Sequence, residues 1–136
     1  MKRILIDTNA YAAFKRGDPG ARDIVQMADA LGVSTVMLGE LLGGFLVGAR
    51  AERNRAELAA FLESPRVVVL PVSEATAGFY ASVFAALRRK GQPIPTNDLW
   101  IAATALEHGF ALFTYDGHFR AVDGLLAGSR PEDFLP

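Results

Sequence analysis

The chain has no cysteine among its 136 residues, which excludes disulfide frameworks, iron–sulfur clusters and thiolate zinc sites. Histidine is scarce as well. His108 and His118 are the only two, and neither belongs to an H-E-x-x-H pattern of the kind that holds catalytic zinc. Neither sign of charge dominates: 14 basic and 15 acidic residues leave a net −1, so no global basic field advertises nucleic acid. Two divalent cations held by carboxylates would reverse that sign. Basic residues do gather locally, at Lys15-Arg16, at Arg50, Arg53 and Arg55, and at Arg88-Arg89-Lys90, positions that read as solvated helix ends. No secretory leader is expected either. The apolar run after Lys2-Arg3 stops at Asp7 after three residues, against the roughly 7–15 that such a leader needs. The expected location is therefore the cytoplasm. The least charged stretch, Leu31 to Ala49, has glycines and a central Glu40, which a bilayer disfavours. A buried core strand and helix is the expected source of its hydrophobicity.

What is present is 51% hydrophobic and 21% charged, the balance of one soluble globular domain over residues 1–136. Short apolar runs alternate with segments of helical spacing. They place strands at Arg3–Ile6, Val33–Thr35, Val67–Leu70 and Ala111–Tyr115. Helices are expected over Thr8–Lys15, over Ala21–Leu31 with Gly32 as its stop, through Met37 to Phe45, and over Ala51–Leu62. A long helix opened by Ser73 and Thr76 ends at Arg88-Arg89-Lys90-Gly91, and a last one runs from Asp98 to His108, capped by Thr96 or Asn97. Val67–Leu70 reads as buried by composition, and the tail from Gly124, rich in Gly, Ser and Pro, receives no element. Such alternation implies an α/β fold, a parallel sheet with helices on both faces.

Four acids take notable places in this plan. Asp7 ends the first strand, Asp116 ends the Ala111–Tyr115 strand, Asp98 opens a helix, and Glu40 lies in the early turns of another. In open α/β sheets, sites collect outside the carboxyl ends of the strands, and helix N-termini point to that same edge. Taken singly, Asp98 reads as a helix-start residue and Asp116-Gly117 as a tight turn. Glu40 is a lone acid amid Met37, Leu38, Leu41 and Leu42, and needs a partner. Clustered carboxylates repel unless a cation sits among them, and hard divalent ions with oxygen ligands are the natural answer. Tyr11, Trp100 and Phe119 are candidates for stacking on bases, with core packing the better reading of Trp100.

Four segments carry a family resemblance. They are Ile4-Leu5-Ile6-Asp7-Thr8-Asn9, Ser34-Thr35-Val36-Met37-Leu38-Gly39-Glu40-Leu41-Leu42-Gly43, Thr96-Asn97-Asp98-Leu99-Trp100-Ile101-Ala102-Ala103-Thr104-Ala105 and Thr114-Tyr115-Asp116-Gly117-His118-Phe119. In that order the chain resembles the PIN-domain family, and within it the toxin half of VapBC-type toxin–antitoxin pairs. The resemblance implies a three-layer sandwich with a central parallel sheet flanked by helices. It also implies Mg²⁺- or Mn²⁺-dependent endonucleolytic cleavage of RNA, a homodimer and a cognate antitoxin. Carried over by position, Asp7, Glu40, Asp98 and Asp116 are the catalytic and metal-binding acids, with Thr8, Asn9 and Thr114 as the polar residues that orient them. Two departures concern partner surfaces: Leu125 to Pro136 reads poorly as the family's final strand, and Gly39, Gly43, Gly44 and Gly48 are many for one helix, at roughly 1 kcal/mol each.

Other assignments fail on single residues. A haloacid-dehalogenase-like phosphatase needs an acid where Asn9 stands, and a response-regulator receiver domain lacks its acid pair and lysine. Gly43 to Gly48 imitates a phosphate loop, but Ala49-Arg50 replaces the Lys-Ser/Thr pair. An inactive PIN module that binds RNA or protein, and a structure-selective DNA nuclease, are the remaining alternatives.

Overall fold

The computed structural model describes residues 2–136. Five strands, β1 (Arg3–Ile6), β2 (Ala30–Ser34), β3 (Val67–Leu70), β4 (Ala111–Phe113) and β5 (Ala127–Gly128), form a wholly parallel sheet in the order β3-β2-β1-β4-β5. Six helices flank it: α1 (Thr8–Lys15), α2 (Pro19–Met27), α3 (Thr35–Val47), α4 (Ala51–Leu62), α5 (Glu74–Lys90) and α6 (Thr96–His108). Two 3₁₀ turns, Gly117–Ala121 and Pro131–Phe134, frame β5. The period of two in β1 explains the layering. Ile4 and Ile6 join the core shared with α1, α2 and α4, while Leu5 and, from β4, Leu112 join the core shared with α5 and α6. Both faces of the central strands are thus apolar, as a parallel sheet covered by helices requires. The strand order reverses beside β1, which has β2 on one side and β4 on the other. That reversal opens a crevice at the carboxyl ends of β1 and β4, the place where such sheets bind ligands.

Several elements depart from the sequence expectation for identifiable reasons. The helix expected over Ala21–Leu31 ends at Met27, and Ala28 is already extended. Leu31 and Gly32 belong to β2, where ladder bonds outweigh local helical spacing. Gly32 is no helix stop: a Cβ there would stand 3.0 Å from Leu5 Cδ1 and from the Phe110 ring, so the glycine makes room on a crowded sheet face. Strand β3 lies at the sheet edge, and Val68 and Val69 are 42% and 41% exposed, so its composition overstates its burial. Thr96 is the first residue of α6 rather than its cap, and Pro95 holds the cap position without a side-chain acceptor. β4 stops at Phe113, so Thr114 reaches Asp7 and Tyr115 is left exposed.

The tail holds the short β5 after all. Gly128 permits it, because a Cβ there would lie 2.5 Å from Asp133 Cβ. Within Leu31–Ala49 only β2 and the first turns of α3 are buried; Leu46 and Val47 are 69% and 90% exposed. Among the described residues no helix is long and apolar enough to cross a membrane. Of the stacking candidates, Tyr11 and Phe119 are core residues, Tyr11 sitting edge-on to Phe61 at 5.2 Å. Trp100 packs on Tyr80 with ring centroids 4.2 Å apart.

Candidate active site

Strand β1 delivers Asp7 to the crevice. Its amide donates to Phe113 O at 2.9 Å, and its Oδ1 accepts the Thr8 amide at 2.8 Å, so the side chain also caps α1. Across the crevice, the buried Thr114 hydroxyl donates to Asp7 Oδ2 at 2.9 Å and accepts the Asp116 amide at 3.0 Å. One hydroxyl therefore ties the ends of β1 and β4 together. Helix α3 contributes Glu40, exposed but fully engaged: Oε1 accepts from Thr8 Oγ1 at 2.7 Å and Oε2 from Asn97 Nδ2 at 3.1 Å. Helix α6 contributes Asp98 from its first turn. His118 Nδ1 lies 3.1 Å from Asp98 Oδ2 and 3.0 Å from Asp116 Oδ1. The four acids named from the sequence are thus joined in one hydrogen-bonded array.

The supporting residues divide. Thr8 and Thr114 contact the acids directly, whereas Asn9 Oδ1 accepts the Tyr115 amide at 3.3 Å and fixes the backbone beside the site. Two further residues join the array. Asn97 reads from the sequence as a possible cap only, yet its place in the first turn of α6 turns its amide onto Glu40. His118 belongs to no metal motif, but the turn that Asp116 caps, through the His118 amide at 2.9 Å, brings the imidazole back between two carboxylates. The spacing Asp116-Gly117-His118 was its only signal.

Electrostatics show a site short of positive charge. Burial raises the pKa of Asp7; bonds from Thr8 and Thr114 oppose this, and the charges of Asp98 and Glu40 add to it. Asp98 is raised too, first by burial, with His118 opposing and Asp116 and Glu40 reinforcing. His118 is raised, mainly by its bond to Asp98 and then by the charge of Asp116. Ligand atoms of Asp98, Asp116 and His118 lie within 4.8 Å of one another, a spacing that one cation can bridge. With Asp7 and Glu40 added, the donors are carboxylate oxygens and a single nitrogen. That set fits a hard divalent cation such as Mg²⁺ or Mn²⁺.

A parallel sheet with acids gathered at its switch point defines a class, and the comparisons agree on it. The PIN domain family model matches residues 4–125, so this is a PIN-domain protein. Ribonuclease VapC4 of Mycobacterium tuberculosis is 33% identical over 124 residues, covering 90% of this chain and 92% of that one. Among solved structures, the DNA-bound VapBC of Salmonella typhimurium superposes with a TM-score of 0.82 at 26% identity, over 94% of this chain and 98% of that one. VapBC-5 of M. tuberculosis gives 0.68 at 30% identity, over 91% and 94%. The chain belongs to the VapC ribonucleases, the toxins of VapBC toxin–antitoxin systems.

Proposed function

We propose that this VapC-type ribonuclease is a Mg²⁺- or Mn²⁺-dependent endoribonuclease, one domain over residues 1–136, that works in the cytoplasm. Asp7, Glu40, Asp98 and Asp116 are its catalytic acids and metal ligands. The observation that carries the reading is the convergence of four carboxylates on the crevice between β1 and β4, two of them with raised pKa. Each oxygen of Asp7 accepts one hydrogen bond from the protein and keeps a lone pair for the site. Thr8 and Asn97 hold both Glu40 oxygens, which sets the carboxylate plane, and Thr114 keeps Asp7 and Asp116 in register. When bound, divalent metal supplies positive charge that eases deprotonation of the attacking water and stabilises the charge gathering on the phosphate. The acids orient that water in line with the leaving oxygen, and His118, 53% exposed, stands where it can exchange protons with solvent.

The decisive experiment offers single-stranded RNA, single-stranded DNA and flap substrates side by side, with Mg²⁺, with Mn²⁺ and after chelation. Expected is RNA cleavage that chelation abolishes, leaving 5′-phosphate and 3′-hydroxyl ends. Cleavage that survives thorough chelation overturns the metal-dependent reading, and a 2′,3′-cyclic phosphate means that the RNA's own hydroxyl attacks. RNA binding without cleavage identifies an inactive module.

We also propose a homodimer. Phe79 and Phe84 on α5 are 40% and 44% exposed, large side chains that a second copy would cover. Sedimentation velocity at micromolar concentration is expected to give twice the chain mass of 14.6 kDa; a monomer refutes the assembly and leaves the active site untouched.

A further inference from the structure

The basic clusters prominent in the sequence are partly spent on ion pairs: Lys15 with Glu57 at 3.3 Å, Arg53 with Glu57 at 3.5 Å and Lys90 with Asp123 at 2.7 Å. Two further arginines lie beside the acids: Arg120, and Arg130, which is paired with Asp133 at 3.3 Å. A cleft of about 470 Å³ adjoins the site and shares Thr114 and Asp116 with it. Arg120, from the 3₁₀ turn Gly117–Ala121, and Arg130 line it together with Tyr115. We propose that this cleft is the subsite for the RNA strand flanking the scissile phosphate, with Arg120 and Arg130 holding a neighbouring phosphate and Tyr115 stacking on a base.

The geometry carries this in four ways. Tyr115 is 45% exposed, and its ring is held edge-on by Phe113 at 5.5 Å, which fixes an aromatic surface beside the crevice. Arg120 has no carboxylate within ion-pair distance among the described residues, so its guanidinium is free for phosphate. Arg130 is presented by a latch: Asp133 Oδ2 accepts the Ser129 and Arg130 amides at 3.0 and 2.9 Å, and Oδ1 meets Arg130 Nη2 at 3.3 Å. Those contacts stabilise the Asp133 carboxylate and hold it below its usual pKa, while the ion pair engages only one nitrogen of the Arg130 fork. Finally, Gly117 and Gly128 line the cleft without side chains, and its volume falls in the range of small-ligand pockets, about 300–1,000 Å³. That is room for a nucleotide rather than a helix. The lining is polar, with two arginines, two aspartates (Asp116 and Asp133) and one aromatic; a phosphate on a guanidinium beside a base on the ring is how such a surface takes a single strand.

The proposal rests on the nuclease reading, so its test separates the two. Binding of a fluorescein-labelled, mixed-sequence single-stranded RNA is followed by anisotropy in metal-free Asp7→Asn protein across a salt series. Adding Arg120→Ala and Arg130→Ala is expected to weaken binding about tenfold or more and to lower the salt slope by roughly 0.7 for each arginine. Tyr115→Ala is expected to weaken it roughly five- to hundredfold, with Tyr115→Phe retaining it. Arg53→Ala/Arg55→Ala, on α4 against β3 at the opposite edge of the sheet, serves as the control with unchanged affinity. The latch uses backbone amides, so the arginine variants keep the fold, as thermal melts verify. In the otherwise intact enzyme the same variants raise KM and leave kcat in place. Unaltered RNA affinity and salt slope in the double arginine variant overturn the subsite, and so does a loss confined to binding of the antitoxin. Absence of cleavage by the intact enzyme would count against the nuclease reading alone, since the binding series stands by itself.

Discussion

Asp7→Asn is expected to reduce RNA cleavage by more than about 100-fold while leaving the metal-free protein at least as stable as the parent. The loss exceeds the roughly 10–100-fold typical of residues that only support a ligand, because the substitution removes charge from the buried acid at the centre of the array. Glu40→Gln and Asp98→Asn are expected to match it. Asp116→Asn is expected to lose less, because Asp7, Glu40 and Asp98 dominate the proposed metal shell, and Thr114→Val falls in the supporting range because it frees both Asp7 and Asp116. The stability arm follows from linkage. Burial raises the Asp7 pKa, so the folded chain holds that proton more tightly than the unfolded one. Stability conferred by the protonated form is present below the unfolded value, about 3.9, and is lost as pH rises through the raised folded value. At neutral pH the Asp7 charge therefore costs stability without metal, and asparagine removes that cost. Thermal melts in chelator at pH 7 are expected to place Asp7→Asn at or above the parent, with the advantage gone below about pH 4. Added Mg²⁺ is expected to raise the melting temperature of the parent and much less that of the variant. A variant that cuts RNA as well as the parent shows that the site is misplaced.

What the sequence disclosed follows from where information is local. Helices α1 and α4 are legible to their ends because punctuation flanks both: Asp7 and Gly17 around one, Ser64-Pro65 after the other. The boundary between α2 and β2 is not, because Leu31 satisfies helical spacing and strand burial alike. Only the approach of Leu5 and of Phe110, both distant in the chain, explains Gly32. The acids are legible because strand ends and helix starts share one edge of an α/β sheet. Asn97 and His118 are not, since their roles depend on the rotation of α6 and on a turn that folds back over it. The aromatic residues teach the converse: Tyr11 and Phe119 carry the right chemistry for bases and are buried, whereas Tyr115 is presented because β4 ends two residues earlier than its composition implies.

Expression of the intact chain in a bacterial host is expected to arrest growth, and either Asp7→Asn or the protein encoded beside its gene is expected to restore it. Two features of the surface support restraint by a partner. The contacts that join the four acids include no Lys or Arg, so an inserted Arg or Lys would be drawn in, charge-assisted bonds offsetting its desolvation. Next to it, the outer part of α3 leaves Leu42, Leu46 and Val47 at 37%, 69% and 90% exposure. Gly39, Gly43 and Gly44 meet nothing within 4 Å of a built Cβ, an open apolar surface for a partner helix. A helix seated there can carry its basic residue to Glu40 on the same helix. Growth curves and colony counts with three plasmids, carrying the intact chain, Asp7→Asn and the intact chain with its neighbour, separate the possibilities. Arrest by both the intact chain and Asp7→Asn would place toxicity in binding rather than cleavage. Harmless expression of a protein that cleaves RNA in the test tube would defeat the toxin role. Adding Leu46→Asp to the intact chain in the third plasmid then locates the contact: Leu46 is exposed and remote from the fold's cores, so folding and arrest persist, and rescue by the neighbour is expected to fail.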